Sequence, residues 1–198
     1  MNEPGGKSAA VILAAGGSTR LGRPKQLVQL GGEGLLDRAV RLVREAGCVP
    51  VVVLGAAAEQ IRAACDLAAC RVVMNPEWQT GMGSSLALGI AEAEALGAVS
   101  ALVLTCDQPA VTADHLRRLV ARSAGADVVA SSYAGRNGVP ACFPASWFHR
   151  LTQLRGDAGA RELLMRASAV ELARGELDID TEEKLRLAQE WFGGTSFG

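Results

Sequence analysis

Two basic side chains, Arg20 and Lys25, stand in the glycine-rich segment VILAAGGSTRLGRPKQL at residues 11–27, directly after an apolar run. In such a loop, successive backbone N–H groups can converge on an anion, because side chains do not block its approach. The segment matches neither GxxxxGK[ST] nor GxGxxG, and Arg20 and Lys25 are spaced to reach different phosphates. It therefore predicts a polyphosphate-binding loop, and the alternative is a plain basic turn.

A lone acid, Asp107, ends the apolar run ALVLTCDQP at residues 101–109. In α/β proteins the carboxyl end of a buried strand is where a metal is held against a polyphosphate. We therefore predict that Asp107 binds Mg²⁺. The alternative is a turn or capping role for this residue.

A third segment, NPEWQTGMGSSLALGI at residues 75–90, leads into a predicted helix. Exposed N–H groups after Gly81 and the hydroxyls of Ser84 and Ser85 can read the edge of a nucleotide base without adding charge. A capped helix start would leave the same pattern. For Trp78 we expect packing or a lid and assign no further role.

Apolar runs alternate with helical patterns through the first two-thirds of the chain, which predicts a parallel sheet covered on both faces. Predicted strands lie at 9–14, 49–54, 71–74, 99–105 and 126–132, and predicted helices at 35–43, 57–68, 84–96 and 112–122, with Thr112 as an N-cap. Beyond about residue 133 this alternation breaks, and the apolar, glycine-containing residues 137–144 suit a close wall around a substrate. We then expect helices near 145–154 and 158–167, a strand near 169–173 and a final helix. We expect one domain over 8–192, with flexible termini at 1–7 and 193–198.

Composition narrows the function classes. The formal net charge of −1 favours neither nucleic acid nor an acidic membrane face as partner, and no apolar run is long enough to cross a bilayer. The N-terminus lacks the pattern of a signal peptide, so we expect a cytoplasmic protein. Five cysteines without a CxxC pair and two histidines make a zinc site an unfavourable interpretation.

Taken together and in order, these segments resemble the nucleotidyltransferases that make the dinucleotide forms of the molybdenum cofactor, especially the cytidylyltransferase branch. The resemblance covers roughly residues 8–190. It is carried by the glycine loop, NPEWQTGMGSSL, CDQP, GVPACFP, LRGDAGAR and LDIDT. The family often has DIDTPEDL where this chain has DIDTEEKL, so we assign no role to Asp180.

The resemblance implies a Rossmann-like three-layer α/β/α fold with a mostly parallel central sheet. It also implies Mg²⁺-dependent transfer of a nucleoside monophosphate to molybdopterin with release of pyrophosphate. The implied catalytic residues are Arg20, Lys25 and Asp107, with Asp107 as the metal ligand. The implied nucleotide-binding residues are Leu13, Ala14, Ala15, Gly16, Gly17, Arg20, Lys25, Gly81, Ser84 and Ser85. The implied acceptor-binding residues are Gly138, Pro140 and Asp157.

The nucleotide is indicated by one small feature. Where this chain has Leu13-Ala14-Ala15-Gly16, the guanylyl branch has a sequence that resembles LAGG. This difference favours CTP over GTP. Erythritol-phosphate cytidylyltransferases share the loop but resemble DAARP where this chain has CDQP. The open alternatives are GTP, another acceptor such as methylerythritol phosphate or a sugar phosphate, and a factor that carries the cofactor to a molybdenum hydroxylase.

Overall fold

A computed structural model describes residues 6–124, 127–154, 156 and 159–193, with backbone alone at 159–161 and 193. Its strands are β1 (Ser8–Ala14), β2 (Gln29–Leu30), β3 (Glu33–Gly34), β4 (Val49–Leu54), β5 (Arg71–Met74), β6 (Ser100–Thr105), β7 (Val129–Tyr133), β8 (Arg136–Pro144) and β9 (Ser168–Glu171). Seven of them form one sheet in the order β5-β4-β1-β6-β8-β7-β9, and β2 pairs with β3. Only β8 runs antiparallel to its neighbours within the larger sheet, as far as the described residues extend.

Helices cover both faces of this sheet. They are α1 (Leu35–Glu45), α2 (Ala58–Ala64), α3 (Met82–Ala95), α4 (Ala113–Ser123), α5 (Phe148–Thr152), α6 (Gly159–Leu164) and α7 (Glu182–Gly193). Because side chains alternate along β1, Ala10 and Ile12 pack with α1, α2 and α4, whereas Val11 and Leu13 pack with α3 and α5. This confirms the predicted three-layer fold. No helix within the described ranges is long and apolar enough to cross a membrane.

The predicted strands of the first two-thirds are present within one to three residues, and Thr112 caps α4 through a hydrogen bond from His115 N–H to its hydroxyl. No strand was predicted at residues 136–144, which form a nine-residue strand inside the sheet. One glycine and two prolines are unfavourable inside a strand. Pro140 is accommodated because the β7–β8 pairing shifts register between Ala130 and Ser131, and a bulge needs no donor there.

Close contact between α3 and the sheet depends on Gly89. A Cβ at this position would overlap Val11 Cγ1 and lie 3.0 Å from Val53 Cγ2. Since α3 follows β5 through a short connection, its N-terminus lies at the carboxyl edge of the sheet, beside the loop that leaves β1. The segment at residues 75–90, which is predicted to bind the base, and the glycine loop are thereby placed at the same edge.

A third apolar cluster joins the C-terminal part of the chain to this edge. Leu177, Ile179 and Leu185 pack against Leu21 and Leu30 near the β2–β3 hairpin. The Ile179 N–H donates to the Asp107 carbonyl at 2.8 Å, which ties the DIDT segment to the end of β6. Residues 1–5 and 194–198 lie outside the described residues, so the prediction of flexible termini stays a prediction.

His115 gives the fold a testable pH dependence. Burial, reinforced by the nearby charge of Arg118, lowers the pKa of His115 to about 4, and its Nε2 lies 2.8 Å from the Ser131 hydroxyl. Between pH 6.5 and 4 the unfolded chain binds a proton that the folded protein resists, so this stabilisation is present above pH 6.5 and is lost as the pH falls toward 4. The loss should reach on the order of 3 kcal/mol. Urea unfolding of the wild-type protein and of His115→Gln at pH 7 and pH 4.5 measures the change in the free energy of unfolding. An equal change in the two proteins would contradict the prediction.

Candidate active site

The glycine loop after β1 is held in place by a buried glutamine. Gln26 is fully buried, and its Nε2 donates to the carbonyls of Ala14 at 2.7 Å and Gly16 at 3.3 Å. It belongs to a short 3₁₀ turn, Lys25–Leu27, whose first N–H donates to the Ser18 hydroxyl at 3.1 Å. Sequence reasoning assigned Gln26 no role, because only the folded loop shows what a buried amide binds.

Lys25 and Asp107, which are 82 residues apart in the chain, form an ion pair at the carboxyl edge. Lys25 Nζ donates to Asp107 Oδ2, and the two side chains are 22% and 8% exposed. Burial lowers the pKa of Lys25, but the charge and hydrogen bond of Asp107 outweigh it, so the pKa is raised overall. Lys25 is therefore a cation at neutral pH, in a partly desolvated place where its charge is weakly screened.

Arg20 meets a carboxylate from the C-terminal part of the chain. Its Nη1 lies 2.6 Å from Asp180 Oδ2, and the Arg20 side chain is 71% exposed whereas Asp180 is almost buried. Lys184 Nζ pairs with Asp178 and lies 3.0 Å from Asp180 Oδ1. Asp180, to which the sequence assigned no role, is thus the partner of a predicted phosphate-binding cation.

A cavity of about 300 Å³ opens beside Lys25. It is lined by Leu13, Ala15, Gly16, Lys25, Trp78, Gln79, Gly81, Met82, Ser85 and Thr105. Six of the predicted nucleotide-binding residues are in this set, and Trp78, Gln79, Met82 and Thr105 were missed. Gln79 belongs to the segment at residues 75–90. Its side-chain amide could have marked it as a candidate, since an amide can both donate and accept a hydrogen bond.

The remaining predicted nucleotide residues lie elsewhere. The Ala14 side chain belongs to the core on the opposite face, and its carbonyl accepts from Gln26. Gly17 lies beneath the Trp78 ring, and Ser84 lines a separate groove between residues 75–80 and α3. Arg20 is positioned by Asp180 at the exposed end of the loop.

Trp78 forms one wall of the cavity and requires glycines beneath it. A Cβ at Gly55 would lie 2.7 Å from Trp78 Cβ and 2.9 Å from Ala15 Cβ, and a Cβ at Gly17 would lie 3.2 Å from the indole ring. The loop after β4 can therefore approach the indole this closely only because Gly55 lacks a side chain, whereas a Cβ at Gly17 would require the ring to move by a few tenths of an ångström. This packing holds the cavity wall against the glycine loop.

The predicted acceptor residues Gly138 and Pro140 belong to β8, whereas Asp157 lies outside the described residues. Pro140 is buried, and its carbonyl accepts from Ser131 Oγ at 2.6 Å. Gly138 lies against the Tyr133 hydroxyl, where a Cβ would overlap it. A groove of about 820 Å³ surrounds the β7–β8 turn, at the same sheet edge as Asp107.

Gln108 connects the end of β6 to neighbouring segments. Its Nε2 donates to the carbonyls of Val139 at 3.0 Å and Gly175 at 3.1 Å, directly after Asp107 in the chain. Tyr133 also donates to the Val139 carbonyl, at 3.1 Å. The end of β6 is therefore bonded both to β8 and to the segment that leads into DIDT.

The possible metal ligands at this site suit Mg²⁺ better than a metal ion whose ligands are all protein side chains. Within the part of the chain that the structure describes, no group of three or more His, Cys, Asp or Glu side chains could hold a metal ion. Mg²⁺ commonly takes one or two carboxylates and completes its shell with substrate phosphates and water. A single carboxylate, Asp107, next to the predicted phosphate-binding residue Lys25 suits that pattern.

A family model described as the MobA-like NTP transferase domain matches residues 10–171. The chain belongs to this family of nucleotidyltransferases. It is 34% identical to nicotine blue oxidoreductase of Paenarthrobacter nicotinovorans, over 88% of this chain and 93% of that protein. It is 35% identical over 123 residues to a probable molybdenum cofactor guanylyltransferase of Opitutus terrae, over 61% of this chain and 59% of that one.

The fold also matches a crystal structure of Rv0371c in complex with manganese from Mycobacterium tuberculosis H37Rv. The TM-score is 0.77 with 30% identity, over 93% of this chain and 98% of that one. These findings confirm the family inferred from the motifs. They leave the nucleotide and the acceptor of this chain to be proposed.

Of the three tryptophans, Trp78 lines the cavity beside Lys25. An NTP that enters this cavity should therefore change the fluorescence of Trp78, because the indole would pass from a partly hydrated to a stacked or excluded environment. Titration of the protein with each NTP should give a saturable signal that Trp78→Phe abolishes and Trp147→Phe retains. A signal that survives in Trp78→Phe would place the ligand elsewhere.

Proposed function

We propose that this protein transfers CMP from CTP to a molybdopterin-type phosphate acceptor in an Mg²⁺-dependent reaction that releases pyrophosphate. The observation that carries the proposal is the Lys25–Asp107 pair at the wall of a cavity bounded by the glycine loop. A desolvated cation and a lone carboxylate at one sheet edge suit a triphosphate and its metal. The family of the chain supports the same reaction type.

Phosphoryl and nucleotidyl transfer need positioning and charge neutralisation rather than a nucleophilic side chain. A phosphate monoester is already an anionic nucleophile, so the protein need not supply a catalytic triad. Lys25 neutralises the charge that grows on the α-phosphate, and it must exchange Asp107 for that phosphate. Arg20, whose planar guanidinium suits a forked grip, holds the departing pyrophosphate and exchanges Asp180 for it.

Asp107 would hold the metal ion in this proposal. Mg²⁺ bound there would supply Lewis-acid neutralisation of the triphosphate oxygens. The manganese complex of the relative supports a divalent ion in proteins of this fold. The chain's own contribution is to place the Asp107 carboxylate, through the Ile179 N–H and the pairing of β6 with β1, next to Lys25.

CTP is supported by the LAAG form of the loop, in which Ala15 lines the cavity. The molybdopterin acceptor is supported by the ordered motifs, with Gly138, Pro140 and Asp157 on the acceptor side. The guanylyltransferase relative favours GTP as the alternative nucleotide. The alternative acceptors are methylerythritol phosphate and a sugar phosphate, and the alternative activity is a carrier role toward a molybdenum hydroxylase apoenzyme. We propose the cytoplasm as the location, with neither nucleic acid nor membrane as partner.

A panel of substrates tests the proposal. Protein with Mg²⁺ is incubated with CTP, GTP, ATP or UTP, each with molybdopterin, a sugar phosphate or methylerythritol phosphate, and pyrophosphate is followed. We expect release only with CTP and molybdopterin. Release with another pair would correct the substrate, and no release with any pair would leave the carrier role.

One relative is named an oxidoreductase, so electron transfer is a second candidate activity. Oxidation of NADH or NADPH with an artificial electron acceptor would be followed at 340 nm in the same preparation. Turnover there without any pyrophosphate release would favour this candidate over nucleotidyl transfer.

Lys25→Ala should leave the protein folded but reduce turnover by on the order of a hundredfold or more, because a preorganised charge at the reacting phosphate is lost. The matched control is Lys7→Ala, which removes an exposed lysine on the opposite edge of the sheet. Pyrophosphate release and thermal unfolding measure the two effects. Retention of most of the turnover in Lys25→Ala would exclude the assigned role.

A further inference from the structure

We propose that Asn75 is a positioning residue that fixes the Ser85 hydroxyl so that its proton faces the nucleotide cavity and selects the base. The inference rests on the proposed function, since it takes the cavity beside Lys25 as the nucleotide site. Sequence reasoning treated Ser84 and Ser85 alike and gave Asn75 no role. The hydrogen bonds of this segment separate the two serines.

The orientation of the Asn75 amide is determined by its partners. The side chain is buried directly after β5, and its Oδ1 accepts from the Glu77 N–H at 2.9 Å. Because a backbone N–H can only donate, the atom facing it is the oxygen, and the nitrogen faces the other way. Nδ2 then donates to Ser84 Oγ at 2.9 Å and to Ser85 Oγ at 2.8 Å. Both amide protons and the amide oxygen are satisfied inside the protein.

The two serines use their own protons differently. Ser84 Oγ donates to the Gly81 carbonyl at 2.9 Å, and it lines the groove on the far side of the segment. Ser85 Oγ accepts from Asn75 and lines the cavity, and its own proton makes no hydrogen bond to another group among the described residues. Since Asn75 Nδ2 can only donate, the Ser85 proton cannot turn toward that amide.

A ligand in the cavity therefore meets a hydroxyl donor at Ser85. Such a donor suits a carbonyl oxygen or an unprotonated ring nitrogen of a base, and it disfavours a base that presents an amino or N–H group at the same point. A site built to donate one hydrogen bond discriminates strongly, because a mismatched donor leaves both groups unpaired. Asn75 acts on the base only through Ser85.

The isosteric variant Asn75→Asp reverses this arrangement. One carboxylate oxygen can still accept from the Glu77 N–H, whereas the other would face Ser84 and Ser85 as an acceptor and draw the Ser85 proton away from the cavity. We expect the dissociation constant of the preferred NTP to rise about tenfold, the worth of one hydrogen bond of about 1.4 kcal/mol. The preference among the four NTPs should narrow, and kcat at saturating NTP should change little.

Ser85→Ala and Ser84→Ala form a matched pair, since both serines accept from the same amide and only Ser85 lines the cavity. Dissociation constants for CTP, UTP, GTP and ATP are measured by Trp78 fluorescence, and thermal unfolding shows that each variant is folded. We expect Ser85→Ala to narrow the preference among the four NTPs, as Asn75→Asp does. We expect Ser84→Ala to preserve that preference. In the Ser85→Ala background, Asn75→Asp should have no further effect on the preference.

The inference is overturned if Ser84→Ala narrows the preference as much as Ser85→Ala, or if Asn75→Asp still narrows it when Ser85 is absent. Should Asn75→Asp fail to fold because it buries a charge, the serine pair alone decides. Because binding is measured without acceptor, these results are independent of turnover. A wild-type protein that binds NTP selectively but releases no pyrophosphate contradicts the proposed function alone, and one that binds no NTP contradicts both.

Discussion

The ion pair between Lys25 and Asp107 is the interaction on which the arrangement of the site depends. Taking either charge out of water costs several kcal/mol, and the opposite charge beside it offsets much of that cost in this mostly buried place. The pair joins the loop after β1 to the end of β6, which are adjacent parallel strands. A triphosphate with its metal can offer each group an equivalent opposite charge, so the pair can be exchanged for substrate without leaving a buried charge alone.

Around this pair, buried side-chain amides that do not line the cavity hold the backbone by hydrogen bonds. Gln26 holds the glycine loop by its carbonyls, Gln108 holds the end of β6 to β8, and Asn75 holds the start of the base-binding segment. Each is a buried amide whose donors meet backbone carbonyls or hydroxyls. Amides suit this task because they add no charge that would compete with the ion pair for the phosphates.

The sequence was most informative where local pattern and tertiary role agree. Apolar runs became buried strands, and the glycine loop and Asp107 came together because both follow adjacent parallel strands. It was least informative for β8, whose prolines and glycine are unfavourable in a strand unless a bulge accommodates them. Gln26 and Asn75 were missed for another reason, since a polar residue inside a motif carries no local sign of being buried.

From the sequence alone came the fold class, the kind of ligand, and the residues Lys25 and Asp107, since strand periodicity and the chemistry of cations and carboxylates are local properties. The tertiary structure decided which of those residues share a cavity. It separated Ser85 from Ser84, paired Arg20 with Asp180, and brought Trp78 against Gly17 and Gly55. These relations depend on hydrogen-bond direction and close approach between distant segments, which residue type and spacing do not specify.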